Sequence, residues 1–234
     1  MGDANAPILR AGSYGRLPMA TVHLIDDDPS LRVALGRLLS AAGYEVRSYA
    51  AAGDYLVPDP DDEPGCLLLD LLLPGTSGLE LQAALRRHPA YERPIVFLSG
   101  AADVTASVKA MRAGAREFLT KPVDGDILLA AIKDAVEYDN VLRAQRKRIR
   151  LARDQMASLD DRERKVLDGI VAGKMNKQIA ADLGVCERTV KGDRAHIMRQ
   201  LGVRGLLDLL KRVIEANQPE EEDATARRSG QSGH

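Results

Sequence analysis

Four carboxylate side chains in this sequence are placed where they could act together. Asp26, Asp27 and Asp28 follow the apolar run TVHLI, and Asp70 ends the run CLLLD. Short apolar runs of this kind are typical of buried parallel strands, and the reactive groups of such sheets gather beyond the carboxyl ends of the strands. Carboxylates packed at one edge repel one another unless a divalent cation neutralises them, and hard oxygen ligands favour Mg²⁺. The pattern therefore predicts a magnesium site at this edge.

Two further polar residues follow the next apolar runs. Ser99 comes after PIVFL and can donate a hydrogen bond, while Lys121 closely follows REFL and carries a point charge suited to a phosphoryl oxygen. Nucleophile, metal, hydroxyl and ammonium in one place form the set needed to transfer a phosphate to an Asp carboxylate. Taken singly, Ser99 could be a loop hydroxyl and Lys121 a surface charge. Their joint placement at strand ends favours the functional interpretation.

These positions depend on a repeated pattern of strands and helices. From Thr21 the chain alternates short apolar runs with amphipathic segments of period 3.6, five times over. The alternation predicts an α/β fold, a doubly wound five-stranded parallel sheet, and four short helices without strands follow it as a small all-α domain. The predicted regions are an N-terminal extension at 1–19, the α/β domain at 20–136, a helical linker at 137–157, the all-α domain at 158–216 and a disordered tail at 217–234.

The α/β region resembles a known family. The segments LIDDD, LDLLLPGTSG, FLSG and EFLTKP together resemble the flavodoxin-like receiver domain of two-component response regulators, over roughly residues 20–136. The resemblance implies that Asp70 is the phosphoacceptor of a sensor histidine kinase and that Asp28 is a neighbouring charge. The Mg²⁺ ligands that it implies are Asp26, Asp27, Asp70 and the carbonyl oxygen of Leu72.

The same resemblance assigns switch residues and a dimer. Ser99 and Lys121 are expected to contact the phosphoryl group, and a cis bond is expected between Lys121 and Pro122. Phe118 lies where receivers carry an aromatic ring that turns inward as Ser99 moves toward the phosphate, although alone it could be an ordinary core residue. The segment VTASVKAMRAGAREFLTKP resembles receivers that dimerise through this helix and strand, so a homodimer is expected.

The segment NKQIAADLGVCERTVKGDRAHIMRQLGV has the pattern of a helix-turn-helix, in which the second helix enters the major groove of DNA. Residues 158–213 resemble the LuxR-type output domain of the NarL/FixJ response regulators, nearest the FixJ branch. The resemblance implies that Lys191 reaches bases or phosphates, and that Val190 and Ile197 are core residues. The other implied DNA-binding residues are Arg188, Thr189 and Arg194 on the second helix, and Asn176 and Lys177 at the start of the first.

Two residues of the second helix depart from that resemblance. Gly192 removes a side chain that relatives present to the groove, and Asp193 stands where they usually carry His. A carboxylate near DNA phosphates weakens binding unless a neighbour such as Arg194 pairs with it. The affinity for DNA is therefore expected to depend strongly on dimerisation.

Charge is distributed unevenly along the chain, although its net value is only −1. Residues 20–136 hold 11 basic and 17 acidic side chains, a net charge of −6. Residues 137–157 hold 6 and 3, and residues 158–216 hold 12 and 9, so that each carries +3. A basic C-terminal part is compatible with a polyanionic partner, and equally with a solvated surface.

The linker has neither Gly nor Pro, and a weak heptad pattern runs along it. The pattern is compatible with a coiled coil between two copies of the chain, or with a solvated helix of a monomer. The residues of the heptad pattern are Ala135, Tyr138, Leu142, Gln145, Ile149, Ala152, Met156 and Leu159.

Several classes of protein are disfavoured. No apolar run approaches the ~20 residues needed to span a bilayer, and the first 19 residues contain no apolar stretch of signal-peptide length, so a cytoplasmic protein without membrane contact is expected. Cys66 and Cys186 are expected to be small packing residues rather than disulfide partners.

These observations predict a response regulator that is phosphorylated on Asp70, dimerises and binds promoter DNA, and not an enzyme. An alternative is a receiver that acts as a phosphate sink or protein-docking module, its output domain weakened by Gly192 and Asp193. A third interpretation, an enzyme acting on small phosphorylated molecules, is disfavoured because the chain lacks a phosphate-cradling loop such as GxxxxGK[ST].

Overall fold

The computed structural model describes residues 20–57, 63–87, 93–100 and 104–218. The predicted N-terminal extension and the tail beyond residue 218 lie outside the described residues. The chain divides into two compact units, Met1–Val141 and Leu142–His234.

The first unit alternates strands and helices. Its strands are β1 (Thr21–Ile25), β2 (Glu45–Tyr49), β3 (Gly65–Asp70), β4 (Ile95–Ser99) and β5 (Glu117–Thr120). Its helices are α1 (Pro29–Ala41), α2 (Ala52–Leu56), α3 (Gly78–Leu85), α4 (Val104–Arg112) and the first part of α5 (Gly125–Ala157). The strands form one parallel sheet in the order β2-β1-β3-β4-β5, which confirms the predicted doubly wound α/β fold. The sequence pattern did not predict α2, because five residues are too few to display a helical period.

The sheet is covered by helices on both faces, so its central strands are buried throughout. Successive side chains of β3 point to opposite faces: Leu67 and Leu69 pack in one core, Cys66 and Leu68 in the other. Helices α3 and α4 contribute to the first core, and helices α1 and α5 to the second. Cys66 is a packing residue as predicted, and burial raises the pKa of its thiol to about 12, so the thiol stays protonated.

The start of β3 is fastened to α5 by a buried carboxylate. Asp139 is fully buried, and its Oδ2 accepts a hydrogen bond of 2.9 Å from the backbone N–H of Gly65. Gly65 has no room for a side chain, because a Cβ there would lie 2.0 Å from the carbonyl oxygen of Thr21. Strand β3, which ends at Asp70, is therefore held at its other end by the helix that leads out of the first unit.

Asp139→Ala is expected to destabilise the first unit by about 1–3 kcal/mol, because a buried N–H loses its acceptor. All six tyrosines precede Val141 in the sequence, so tyrosine fluorescence during urea unfolding of the full chain follows this unit alone. Glu137→Ala is the matched control: its side chain is 65% exposed, and removing it should change the stability by less than about 0.5 kcal/mol. Equal effects of the two substitutions would contradict the role given to Asp139.

The second unit is helical. It contains the end of α5 followed by α6 (Asp161–Val171), α7 (Asn176–Leu183), α8 (Glu187–Gln200) and α9 (Leu206–Ala216). The four helices after the linker were predicted, and no strand interrupts them in the described residues. Gly184 follows the last residue of α7 and makes the turn into α8; its φ of 66° is left-handed and suits glycine. Val190 and Ile197 are fully buried in the shared core, as predicted.

Helix α5 is continuous over 33 residues and passes through the predicted boundaries of the linker. Several residues of the heptad pattern are already buried within one unit. Ala135 lies in the core of the first unit, while Ala152 is buried and Met156 and Leu159 pack with the core of the second. A coiled coil could therefore use only the intermediate positions: Tyr138, Leu142, Gln145 and Ile149. None of the helices in the described ranges has both the length and the apolar character needed to cross a membrane.

Candidate functional site

Three carboxylates meet at the carboxyl edge of the sheet. Oxygen atoms of Asp26, Asp27 and Asp70 all lie within 4.8 Å of one another. Asp26 and Asp70 are buried, whereas Asp27 is exposed. Asp26 directly follows β1, and Asp70 is the last residue of β3. Parallel pairing of these two strands brings the two residues together although 44 positions separate them in the sequence. Hard oxygen donors at this spacing fit a small divalent cation, and Mg²⁺ in particular.

An ammonium group joins two of these carboxylates. Nζ of Lys121 lies 2.7 Å from Oδ2 of Asp26 and 2.7 Å from Oδ2 of Asp70. Partial burial disfavours the charged form of Lys121, but the hydrogen bonds to the two carboxylates outweigh it, so the pKa of Lys121 is raised above its ordinary value. Lys121 is therefore cationic at neutral pH, and its ammonium group joins the two carboxylates. The peptide bond from Lys121 to Pro122 is cis, as predicted.

The backbone around the cluster orients its side chains. Oδ1 of Asp70 accepts a hydrogen bond of 3.1 Å from the N–H of Leu72, and Oδ1 of Asp26 accepts one of 2.9 Å from the N–H of Asp28. The carboxylate of Asp28 instead caps α1 and accepts from the N–H of Ser30 at 2.8 Å. Asp28 is thus outside the carboxylate cluster. The role of the Leu72 carbonyl as a metal ligand stays a prediction.

The predicted switch residues lie on the two neighbouring strands. Ser99 ends β4, is buried, and accepts a hydrogen bond of 2.7 Å at its carbonyl oxygen from the N–H of Lys121. Phe118 on β5 is half-buried, and its ring centroid lies 6.1 Å from that of Phe97 on β4. The geometry brings Ser99 and Lys121 to the same edge as the carboxylates. The inward motion of Phe118 stays a prediction.

Gly78, in the segment LDLLLPGTSG, has a role that sequence analysis did not assign. A Cβ at Gly78 would lie 2.5 Å from the carbonyl oxygen of Asp70 and 2.9 Å from Cε1 of Phe97. Helix α3 begins at this glycine, and its first turn rests directly against the strand end that carries Asp70. Any larger residue would displace the backbone of the predicted phosphoacceptor. The spacing of eight residues after Asp70 was visible in the sequence, but the close approach was not.

The second unit presents a polar face on α8. Arg188 and Lys191 are exposed on the side of the helix away from Val190 and Ile197. Nζ of Lys191 lies 3.2 Å from Oε1 of Glu187, one turn earlier, and both side chains remain largely exposed. The other predicted DNA-binding residues lie at or beside this face or at the start of α7; Thr189, Arg194 and Asn176 are half-buried, and Lys177 is exposed.

Asp193 of α8 is paired, and its partner is Arg162 of α6 rather than the neighbouring Arg194. Nε of Arg162 donates to Oδ2 of Asp193 at 2.9 Å. Because 31 residues separate the two, no local pattern could reveal the pair. The expectation that Cys186 is a packing residue was wrong, because Cys186 is exposed at the start of α8. Its Sγ lies 3.1 Å from Oγ1 of Thr189, and this hydrogen bond lowers the pKa of the thiol.

The chain matches two family models. The response regulator receiver domain matches residues 22–133, and the family described as bacterial regulatory proteins, luxR family, matches residues 157–213. Nodulation protein W of Bradyrhizobium diazoefficiens is 38% identical over 192 residues, which cover 82% of this chain and 84% of that protein. Transcriptional regulatory protein FixJ of Azorhizobium caulinodans is 35% identical over 204 residues, which cover 87% of this chain and 96% of that protein. A solved structure of response regulator StyR matches with a TM-score of 0.77 at 40% identity, and covers 84% of this chain and 99% of that one.

A parallel sheet with a carboxylate cluster at its edge, followed by a helix-turn-helix unit, defines a receiver domain joined to a DNA-binding output domain. The chain belongs to the family of response regulators that combine a receiver with a LuxR-type domain, in which its relatives include FixJ. This confirms the family that the sequence motifs predicted.

Proposed function

We propose that this response regulator works in the cytoplasm, where a sensor histidine kinase phosphorylates it on Asp70. The observation that carries the proposal is the position of the Asp70 carboxylate, which lies within reach of two other carboxylates and 2.7 Å from the Lys121 ammonium. One oxygen of Asp70 forms a bond to phosphorus as the bond from phosphorus to the histidine nitrogen of the kinase breaks. Lys121 then exchanges its hydrogen bond to Asp70 for one to a phosphoryl oxygen.

The carboxylate cluster is proposed to hold Mg²⁺, since its oxygens fit the ion in type and spacing. The bound ion would neutralise charge on the carboxylates and on the phosphoryl oxygens during transfer. The chain positions the reacting groups: backbone N–H groups orient the Asp26 and Asp70 carboxylates, and Lys121 supplies a cation. The proposed metal ligands are Asp26, Asp27, Asp70 and the carbonyl of Leu72.

Phosphorylation is proposed to favour a homodimer through α4 and β5. Ser99 would move toward the phosphate and Phe118 inward, which shifts a two-state equilibrium of this side of the sheet. Val104, Val108 and Met111 support the proposal, because they form an apolar stripe along α4 and are 73%, 43% and 44% exposed. An apolar stripe at positions i, i+4 and i+7 is a helix face that a partner can bury.

The dimer is proposed to place two copies of α8 on adjacent half-sites of promoter DNA. The domain boundaries remain those proposed from the sequence: receiver at 20–136, linker at 137–157 and DNA-binding domain at 158–216. The alternative of a phosphate sink or docking module relied on Gly192 and Asp193; the pairing of Asp193 with Arg162 removes much of the expected repulsion and favours DNA binding. The proposed DNA-binding residues are Asn176, Lys177, Arg188, Thr189, Lys191 and Arg194.

The proposal is tested on the full chain with beryllofluoride, a phosphoryl mimic, together with Mg²⁺. Light scattering should show the molar mass double, and the affinity for a DNA duplex selected from a random library should rise. Omitting Mg²⁺, or replacing Asp27 with Asn, should weaken both responses. If saturating beryllofluoride and Mg²⁺ change neither the mass nor the DNA affinity, the receiver does not control the output domain as proposed.

A further inference from the structure

A double hydrogen bond joins the first turn of α6 to the middle of α8. Nε of Arg162 donates to Oδ2 of Asp193 at 2.9 Å, and Nη2 of Arg162 donates to Oδ1. Two parallel N–H···O bonds fix the plane of a guanidinium group as well as its position. Most surface arginines lose conformational entropy when they bind an anion, whereas this one is already held. The guanidinium of Arg162 therefore has a fixed position beside α8, the second helix of the helix-turn-helix.

The two partners are exposed to different extents. The side chain of Arg162 is 52% exposed, and that of Asp193 only 13%. The carboxylate thus lies against the protein, and the guanidinium covers it on the solvent side. Arg162 uses only Nε and Nη2 in this pair, and Nη1 has no hydrogen-bond acceptor among the residues that the structure describes.

The residue that precedes Asp193 on α8 has no side chain. Gly192 precedes Asp193 on α8 and is exposed, and a Cβ placed on it would meet no atom within 4 Å. Lys191, the principal predicted DNA-binding residue, comes just before it on the same exposed side of the helix. A phosphate group that borders the groove entered by α8 would therefore meet no side chain at position 192 on its way to Arg162.

We propose that Arg162 is a DNA-binding residue that donates to a backbone phosphate, and that Asp193 is the positioning residue that holds it. The inference rests on the proposed DNA-binding function and deepens it. The phosphate would lie in contact with the guanidinium and farther from the carboxylate behind it, so attraction exceeds repulsion. Arginine suits this contact because its planar fork matches phosphate oxygens. Gly192 and Asp193, which first suggested weak DNA binding, then form the opening and the support of one phosphate contact.

The alternative is that Arg162 only neutralises the charge of Asp193 and does not contact DNA. A charge-balanced double variant separates the two roles, because Arg162→Gln combined with Asp193→Asn restores the net charge of the wild-type chain. If Arg162 is only a neutralising charge, the double variant regains wild-type binding. If Arg162 contacts phosphate, the double variant stays weak.

The experiment measures binding of the full chain, activated with beryllofluoride and Mg²⁺, over a range of salt concentrations. Two duplexes serve as probes: one selected from a random library with the wild-type chain, and an unrelated one of equal length. Arg162→Gln should weaken binding to both about equally, and should lower the slope of log K against log salt by about one for each bound subunit. The double variant should show the same lowered slope.

Arg164→Gln is the matched control. It removes the same charge from the same helix, but its Nη2 donates to the carbonyl of Ala157 rather than to α8, so its salt slope should stay near that of the wild type. A wild-type slope in the double variant would overturn the proposal. An equal slope change in Arg164→Gln would do the same. Failure of the wild-type chain to bind either duplex would instead contradict the proposed function.

Discussion

Asp70→Asn should abolish the incorporation of labelled phosphate from acetyl phosphate into the full chain. Asparagine keeps the size and shape of the side chain but lacks the nucleophilic carboxylate, and its neutral amide also removes one anion of the Asp26, Asp27 and Asp70 cluster. Lys121 keeps its second partner, Asp26, at 2.7 Å, so the fold is expected to stay intact. The measurement is the amount of labelled phosphate that the purified chain carries after incubation with acetyl phosphate and Mg²⁺.

Asp28→Asn provides the control for this experiment. Asp28 lies at the same edge of the sheet, but its carboxylate caps α1, and asparagine caps a helix about as well as aspartate. This variant should therefore incorporate label at close to the wild-type level. Label that persists in Asp70→Asn would move the phosphoacceptor to another side chain, and equal losses in both variants would point to a general effect of charge at this edge.

Lys191→Ala should weaken binding to the library-selected duplex by about 5- to 150-fold, which corresponds to the 1–3 kcal/mol of one good base contact. Lys191 is exposed on α8, and its only ion pair within the described residues is with Glu187 at 3.2 Å. That pair is between exposed groups one turn apart, so it contributes little and can be exchanged for DNA. Fluorescence anisotropy at fixed salt measures the loss, while phosphorylation should continue unchanged.

Lys211→Ala, in α9, removes an equal charge from the same unit at an exposed position outside the recognition helix. It should reduce DNA binding far less than Lys191→Ala. If Lys191→Ala binds the selected duplex as tightly as the wild-type chain does, α8 is not the helix that reads the groove.

The receiver site shows which features of a site short sequence patterns can predict and which they cannot. Asp26, Asp70 and Ser99 each end a short apolar run, and parallel strands bring their carboxyl ends to one edge by geometry alone. The fold and the meeting of these residues followed from that rule. The bridging position of Lys121 between Asp26 and Asp70 did not, since it depends on side-chain directions that the strand pattern leaves open.

Other features depended on contacts that no local pattern encodes. Asp139 belongs to a polar stretch assigned to the linker, yet it is buried against the start of β3, 74 residues away in sequence. Cys186 was expected to be a small packing residue because a disulfide with Cys66 was disfavoured, but it is exposed at the start of α8.

By itself, the sequence determined the two-part architecture, the strand ends that carry the carboxylates, and the two helices of the helix-turn-helix, because periodicity and turn residues act over a few positions. Only the tertiary structure decided that position 78 has no room for a side chain beside Asp70, and that Arg162 is the partner of Asp193. Both depend on how closely whole helices and strands approach one another, and the packing of the folded chain sets those distances.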